Sequence, residues 1–265
     1  MRMKNKSIYF IATVCLLTIL FASQTFLPLS AVGKEKLLRV AAAADLNVAF
    51  KEIGEVFEKK TGTKVDFIFG STGTLAQQIE NGAPFDVFAA ANIKFVDDLK
   101  AKKLIIPDTQ QLYAQGRVGI ATPIHSSLEV KTLQDFLNPK VKKIAIANPE
   151  HAPYGTAAKE ALEKAGLWEK VKGKMVYGKN IAETLTLINT GNADTGVIAL
   201  SIYDKNKVKF HLINDQSHNP LNQSMAVVRK TKMELEARKF VRFVNSAEGR
   251  AIMKKYGFIL PGEGN

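Results

Sequence analysis

Short apolar runs alternate with amphipathic segments along the first part of the chain after residue 36. The run 37–44 (LLRVAAAA) predicts a strand, and 46–57 has apolar residues at helical spacing, with Gly62 placed to end that helix. The next elements, in the order strand, helix, strand and helix, are predicted at 64–69, 74–80, 85–90 and 93–101. This alternation predicts a parallel sheet covered by helices on both faces.

A second series of the same kind follows. Its clearest strands are KIAIA at 143–147 and TGVIA at 195–199, with a helix at 156–165 between them. Two such series predict an α/β fold of two lobes, each a mostly parallel sheet flanked by helices, with a ligand cleft between them. We place the first lobe at 34–117 and 226–265, the second at 118–225, and the hinge in the strands near 117–121 and 224–228.

Residues 1–33 are typical of an export signal. Basic residues precede the apolar run 8–21, and small residues at 30–33 offer a cleavage site. The run is short for a membrane span, so we expect an exported chain beginning near Lys34, with an uncleaved N-terminal anchor as the alternative. The single cysteine, Cys15, lies inside this segment, so no disulfide is expected in the mature chain.

Composition disfavours several classes of function. The formal net charge is +12, but the basic residues are scattered and form no stripe with aromatics, so nucleic-acid binding is not expected. Ser71 lacks the G-x-S-x-G motif of a hydrolase nucleophile. The histidines, none of which has the spacing of a metal site, are His125, His151, His211 and His218. We expect no catalytic residue, no cation site and no cofactor, and we interpret His151 as a hydrogen-bonding partner in its own turn.

One stretch contains a candidate binding site. In 65–78 (VDFIFGSTGTLAQQ) a strand runs through two glycines and two hydroxyl residues into a helix, whose first N–H groups lack helical partners and attract anions. An ordinary N-cap is the alternative interpretation of this turn. Including this one at 71–72, the chain has four turns that each directly precede a predicted helix; the others are at 44–45, 153–155 and 180–181. Together they would hold a small dianion by N–H and hydroxyl donors, since Lys179 is the only Lys or Arg beside them.

At these turns the chain resembles the molybdate-binding proteins of bacterial ABC uptake transporters, which have the class II periplasmic binding protein fold. The matching segments are VAAAADL at 40–46, FGSTGTLAQQIENGAPFDVFAAA at 69–91, IANPEHAPYGTAAKEAL at 146–162 and RFVNSAEGRAIMKKYGF at 242–258. The resemblance covers essentially all of 37–260. It implies a two-lobed fold with an oxyanion bound between the lobes.

The resemblance also implies which residues bind the oxyanion. They are Asp45, the hydroxyl residues Ser71 and Thr72, and the main-chain N–H groups of Tyr154 and Ile181.

Two positions depart from the family pattern. Ala199 stands where some members have a tyrosine whose hydroxyl contacts the ligand, and Asp45 stands where many have Ser or Asn. An ionised carboxylate cannot donate a hydrogen bond to an anion and would repel it. We therefore expect the Asp45 side chain to turn back and cap its own helix, which leaves only its N–H for the ligand.

The function implied is that of an extracytoplasmic binding protein, without enzymatic activity, that captures molybdate or tungstate and delivers it to the membrane permease of an ABC transporter. One alternative is the same fold binding another tetrahedral anion such as sulfate, and the other is an α/β phosphatase or transferase. Phosphoryl chemistry normally needs a metal ion, Arg or Lys to stabilise charge, which disfavours the enzyme. We expect a monomer in the periplasm or outside the cell, held at the membrane only if the leader is retained.

Overall fold

The computed structural model describes residues 36–263, and the predicted export signal at 1–33 lies outside the described residues. The strands of the described part are β1 (Leu37–Ala43), β2 (Lys64–Gly70), β3 (Val87–Ala90), β4 (Gln111–Gly116), β5 (Val118–Pro123), β6 (Ile144–Ala147), β7 (Met175–Gly178), β8 (Thr195–Ala199), β9 (Val208–Leu212) and β10 (Leu221–Val227). The α-helices of the same part are α1 (Ala49–Thr61), α2 (Thr72–Glu80), α3 (Ile93–Ala101), α4 (Pro153–Lys164), α5 (Trp168–Val171), α6 (Ile181–Asn189), α7 (Glu234–Val244) and α8 (Ala247–Lys255). Short 3₁₀ turns lie at Ala44–Leu46, Pro107–Thr109, Leu133–Leu137, Lys172–Lys174, Leu200–Ile202 and Asp215–Ser217.

The strands form two five-stranded sheets that follow one plan. The first sheet has the order β2-β1-β3-β10-β4 and the second the order β7-β6-β8-β5-β9. In each order the first two pairings are parallel and the last two are antiparallel. The predicted α/β class, with two sheets flanked by helices, is confirmed. Antiparallel pairing is more common than predicted, because β5 and β10 enter their sheets directly from the other sheet, without the crossover helix that parallel pairing requires.

The chain passes from one sheet to the other twice. The first passage is at Arg117, between β4 in the first sheet and β5 in the second, and it falls within the predicted segment 117–121. The return lies between β9 and β10, in residues 213–220. Because β10 pairs with a strand on each side, residues 221–225 belong to the first sheet, and the crossing predicted at 224–228 is corrected to an earlier segment.

Local sequence explains the helix that follows the first strand. Its apolar face, formed by Phe50, Ile53 and Phe57, is buried, and it ends at Gly62 with the left-handed φ of 67° that glycine adopts without strain. β4 has no counterpart among the predicted elements. Only its middle residues are apolar and buried, with polar or exposed neighbours on both sides, so the strand shows no regular alternation.

Apolar packing is continuous between the two sheets. One cluster of buried side chains contains residues of both, for example Val40 on β1 and Ile146 on β6. Aromatic rings extend this packing beneath the first sheet, where Phe57 and Phe240 meet edge to face with ring centres 5.3 Å apart. The sheets are therefore held against each other by apolar contact as well as by the polar contacts at the cleft. Among residues 36–263, no helix is long and apolar enough to cross a bilayer.

Candidate functional site

The predicted turns meet at one small cleft between the sheets. Its volume is about 10 Å³, which is space for one small species rather than an organic substrate. The structure thus brings together all five residues named from the resemblance, which lie at the ends of strands and the starts of helices. The cleft is lined by Ala43, Ala44, Asp45, Gly70, Ser71, Thr72, Ala91, Ala152, Pro153, Tyr154, Asn180 and Ile181.

The first sheet contributes the start of α2. Ser71 is the N-cap of this helix, and its hydroxyl accepts a long hydrogen bond from the N–H of Thr74 at 3.4 Å and donates to the Thr74 hydroxyl at 2.8 Å. Thr72 is buried, and its Oγ1 accepts from the N–H of Ala91 at 3.1 Å. Within the described residues the Thr72 hydroxyl donates to no acceptor, so it is the hydroxyl of this turn whose proton is available to a ligand.

The second sheet contributes the starts of α4 and α6. α4 begins at Pro153, which has no N–H, so Tyr154 supplies its first main-chain donor. α6 begins at Ile181 after Asn180, whose side chain accepts from the N–H of Glu183 at 3.0 Å. In the described part of the chain, the N–H groups of Tyr154 and Ile181 have no acceptor. Both groups lie at positive ends of helix dipoles and are donors for an anion.

One hydrogen-bonded contact between the lobes lies at the edge of the cleft. We call it the rim contact; it consists of Ser71, Gly73 and His151. The Ser71 hydroxyl lies 2.8 Å from Nδ1 of His151, and the N–H of Gly73 donates to the His151 carbonyl at 2.9 Å. His151 therefore hydrogen-bonds to the turn of the opposite lobe, whereas we predicted that it would hydrogen-bond within its own turn.

A second contact between the lobes lies deeper and is almost completely buried. We call it the buried cluster; it consists of Asp45, Tyr113, Tyr154 and Gln223. Oδ2 of Asp45 accepts from the Tyr154 hydroxyl at 2.9 Å and from Nε2 of Gln223 at 2.7 Å. The Tyr113 hydroxyl donates to Oε1 of Gln223 at 2.8 Å, and Nε2 of Gln223 also lies 3.0 Å from the Tyr154 hydroxyl.

The buried cluster corrects our expectation for Asp45. Its carboxyl does not cap the 3₁₀ turn Ala44–Leu46, which has no side-chain cap, but is held by donors from α4 and β10. The other oxygen, Oδ1, is buried and accepts no hydrogen bond from any other described residue. The physical reason is that the donors of the opposite lobe and of β10 reach Oδ2 with good geometry, which outweighs the local capping preference.

Burial dominates the protonation of the cluster. It raises the pKa of Asp45 from 3.8 to about 6, although the hydrogen bonds from Gln223, Tyr154 and its own N–H act to lower it. The pKa of the Tyr113 phenol is raised well above its ordinary value by burial and then by the Asp45 charge. The pKa of Tyr154 is raised in the same way and for the same first two causes. Both tyrosines are therefore neutral at physiological pH, and Asp45 is the member that titrates near neutrality.

Some neighbours of the site were not predicted from the sequence. Gln223 and Tyr113 lie on strands far along the chain from the turns, and Gln223, between the polar residues Asn222 and Ser224, has no local sequence signal that marks it as buried. Ala199, which stands in place of a tyrosine, is buried at the end of β8. Two residues later Ser201 donates its hydroxyl to the Asp45 carbonyl at 2.8 Å, so the chain near Ala199 supports Asp45 rather than the cleft.

The chemistry of the cleft is that of neutral donors. None of its lining residues is Lys, Arg or His, and Asp45 is the one ionisable carboxyl among them. Within the described residues there is no group of three or more His, Cys, Asp or Glu side chains that could hold a metal ion. Main-chain N–H groups and a hydroxyl, drawn from both lobes, suit a small oxyanion.

Comparison with known proteins points to the same chemistry. Residues 38–259 match the family model described as bacterial extracellular solute-binding protein. The chain is 34% identical to a molybdate-binding protein of Azotobacter vinelandii over 228 residues, which are 83% of this chain and 89% of that protein. It is 33% identical to a putative ABC transporter substrate-binding lipoprotein of Bacillus subtilis, over 85% of this chain and 87% of that one.

A solved structure agrees with these relatives. The periplasmic molybdate-binding protein of Azotobacter vinelandii superimposes with a TM-score of 0.79 at 26% identity, covering 84% of this chain and 99% of that chain. The expected two-lobed periplasmic binding protein fold and the resemblance to molybdate-binding proteins are confirmed.

Proposed function

Because the chain belongs to the family of bacterial extracellular solute-binding proteins, we propose that it captures molybdate or tungstate outside the cytoplasmic membrane and delivers it to the permease of an ABC transporter. The relatives named above include a molybdate-binding protein that is similar over most of its length. The anion is held without a resident cofactor, by donors of the protein chain alone.

One observation carries the choice of an oxyanion. Unpaired N–H groups at the starts of α4 and α6, and the free hydroxyl proton of Thr72, line the same small cleft from opposite lobes. Hydrogen bonds to a charged acceptor contribute about 1.5–3 kcal/mol each, so a few of them give tight binding without Lys or Arg. In this proposal the bound anion contacts Asp45 or its N–H, Ser71, Thr72, Tyr154 and Ile181.

Titration of the protein with four sodium salts tests the proposal. Calorimetry with molybdate, tungstate, sulfate and phosphate is expected to give one site that prefers molybdate and tungstate. A preference for sulfate would favour the alternative of another tetrahedral anion in the same fold. No heat and no thermal shift with any of the four would overturn the assignment of an oxyanion.

A matched pair of variants tests the site itself. Thr72→Val removes the free hydroxyl and also leaves the buried N–H of Ala91 without its acceptor. Thr109→Val likewise leaves the N–H of Val227 without its acceptor, which is Thr109 Oγ1 at 2.9 Å, and it also removes the hydrogen bond from Thr109 Oγ1 to the Ile106 carbonyl. Thr109 is not among the residues that line the cleft. Both variants are expected to lose about 1–3 kcal/mol of stability, but only Thr72→Val should lower molybdate affinity, by about tenfold or more. Equal affinity in the two variants would remove Thr72 from the site.

Delivery requires that the permease distinguish loaded from empty protein. We propose that the anion bridges the lobes and stabilises their closed arrangement by its higher affinity for that state. The protein acts as a monomer, and the two lobes together present the closed surface to the permease. Small-angle scattering should show a smaller radius of gyration with saturating molybdate than without it; an unchanged radius would contradict closure.

The protein has no enzymatic role in this proposal. The relatives are described as binding proteins, and the cleft offers neutral donors suited to holding an anion rather than transferring a group. Incubation with an aryl phosphate is expected to release no phenol above the uncatalysed rate. Turnover that scales with protein concentration and is lost in Thr72→Val would revive the alternative of an α/β phosphatase.

A further inference from the structure

The two oxygens of the Asp45 carboxyl have opposite environments. Oδ2 accepts two hydrogen bonds, from Tyr154 and Gln223, whereas Oδ1 accepts none from another described residue. The residue is fully buried and lines the cleft. Buried acceptors normally have a donor, so an oxygen without a donor from another residue, on a side chain that lines the binding cleft, is a place where the ligand can supply the missing partner.

The following inference rests on the proposed function. We propose that Asp45 determines specificity: when a tetrahedral oxyanion occupies the cleft, Oδ1 of Asp45 and one oxygen of the anion share a single proton. The site therefore separates molybdate and tungstate, which are basic enough to share that proton with a carboxyl group, from sulfate, which is the weakest base of the four anions; the shared proton does not select against phosphate, which is the strongest base.

A shared proton is needed because both groups are acceptors. An ionised carboxylate and an oxyanion each offer lone pairs and no donor, and their charges repel. The cleft lining contains no Lys or Arg that could neutralise either charge. Burial already raises the pKa of Asp45 to about 6 in the empty cleft, and a bound dianion raises it further. At neutral pH the empty protein is thus mostly ionised at Asp45, and it takes up a proton as the anion binds.

The other groups near Asp45 that could bind or release a proton can be told apart from it. Tyr113 and Tyr154 stay neutral, since burial holds the pKa of each phenol well above its ordinary value. His151 lies in the rim contact, with its Nδ1 2.8 Å from the Ser71 hydroxyl, and both of its ring nitrogens can bind a proton. His151 is accordingly the group that the experiment has to separate from Asp45.

The elements packed against the turn of Asp45 bring other charges. On α6, Glu183 accepts the N–H of Lys179 at 3.2 Å. On β2 the charged residues are Lys64 and Asp66, in the half of the strand opposite to the end that reaches the cleft. The 3₁₀ turn Leu200–Ile202 and the strand β10 carry no ionisable side chain.

Calorimetry of molybdate binding in buffers of different ionisation enthalpy counts the protons taken up. At about pH 7.5 the protein is expected to take up close to one proton per anion, and its affinity should fall by up to about tenfold for each pH unit above the pKa of empty Asp45. Asp45→Asn keeps an acceptor for Tyr154 and Gln223 and gives the ligand an amide donor. This variant should show no proton uptake and no such pH dependence, whereas His151→Asn should retain both.

Selectivity gives a second readout. Asp45→Asn should bind sulfate more tightly than the unchanged protein does, so that the preference for molybdate over sulfate falls by about tenfold or more. Asp45→Ser provides a second neutral residue at this position if the Asn variant does not fold, and it should also show no proton uptake.

The outcomes separate this inference from the proposed function. Binding of molybdate by the unchanged protein without proton uptake, or uptake abolished by His151→Asn and kept by Asp45→Asn, overturns the role of Asp45 alone. An equal preference for molybdate over sulfate in the unchanged protein and in Asp45→Asn also overturns the role of Asp45. Absence of binding by the protein and by Asp45→Asn to all four anions, across pH 5 to 9, overturns the proposed function and the inference with it.

Discussion

Two of the hydrogen-bonded contacts between the lobes, the rim contact and the buried cluster, differ in character. The rim contact joins the buried Ser71 to the partly exposed His151, and it includes a main-chain bond from the partly exposed Gly73. The buried cluster joins Asp45 to Tyr154 where both side chains are almost completely excluded from water. Each contact also has a glycine at which a Cβ would meet the partner, Gly73 at the rim and Gly116 beside the cluster.

The difference in burial decides what each contact can do. A polar group that loses its partner at the rim can be hydrated, so the rim contact contributes little to stability and can open. A group that loses its partner in the buried cluster has no water to replace it, so the cluster resists rearrangement. For the same reason, the protonation state of Asp45 has a large effect on stability. We therefore expect the buried cluster to govern stability and the choice of ligand, and the rim contact to govern closure.

The largest expected effect on stability is that of Gly116→Ala, which places a methyl group against the buried cluster. A Cβ at this position would lie 2.1 Å from the Tyr154 hydroxyl and 2.8 Å from Nε2 of Gln223, so the cluster has to be displaced. Overpacking together with the lost hydrogen bonds should destabilise the protein by about 4 kcal/mol in urea unfolding. Gly173→Ala, where a Cβ meets nothing within 4 Å, is the control and should change little. Equal stability of the two variants would show that the cluster is not rigid.

The next effect is a dependence of stability on pH caused by Asp45. Its pKa is about 6 in the folded protein against an ordinary 3.8, so between these values the folded state holds a proton that the unfolded state has released. Asp45 therefore contributes stability to the ligand-free protein at low pH, and this contribution is lost as pH rises through about 6. Asp45→Asn lacks this loss and should gain up to about 3 kcal/mol relative to the unchanged protein between pH 4 and pH 8.

Urea unfolding of the ligand-free proteins at several pH values measures this difference. Asp66→Asn, which changes an exposed carboxylate on β2, provides the control. A difference between the Asp45 variant and the unchanged protein that is constant from pH 4 to pH 8 would contradict the raised pKa.

The sequence predicts those features of the molecule that depend on residues close together in the chain, and it fails for features that depend on distant residues. The strands, helices and turns at Ser71 and Asn180 depend on residues within one or two turns of chain, and local patterns indicated them. The buried cluster depends on pairs far apart in sequence, such as Asp45 and Gln223, which are separated by 178 positions. No local pattern reports such a pair, and the capping rule applied to Asp45 alone therefore led to the wrong side-chain direction.

Crossings between the sheets were harder to predict for the same reason. The first crossing, at Arg117, directly precedes the apolar start of β5, so the sequence indicated a strand there. The second was placed too late, because β10 begins with three consecutive polar residues after Leu221 and its membership of the first sheet is decided by pairing with β3 and β4. The class of the fold could thus be predicted, whereas the strand partners at its centre required the structure.

A smaller effect is expected from Tyr154→Phe, which removes one donor from the buried cluster without adding volume. Oδ2 of Asp45 keeps Gln223, and Nε2 of Gln223 loses a neighbour at 3.0 Å. The loss of stability at neutral pH should be about 2 kcal/mol, because a buried charged acceptor is left with one donor. Tyr177→Phe, at a tyrosine that is 48% exposed, is the matched control and should stay within about 0.5 kcal/mol of the unchanged protein. Similar losses in both variants would assign the effect to the ring environment instead of the hydroxyl.

The smallest expected change in stability is at the rim contact, from Gly73→Ala. A Cβ there would lie 2.8 Å from the His151 carbonyl, and separation of the lobes relieves this clash without disturbing either sheet. Unfolding stability should fall by less than about 1 kcal/mol, while molybdate affinity falls by about two- to fivefold because the closed state is less populated. Scattering should show a larger radius of gyration for this variant in the absence of ligand, and saturating molybdate should restore the compact form. A loss of stability as large as that of Gly116→Ala would mean that the rim and the buried cluster form one cooperative contact, and the division of roles between them would then be wrong.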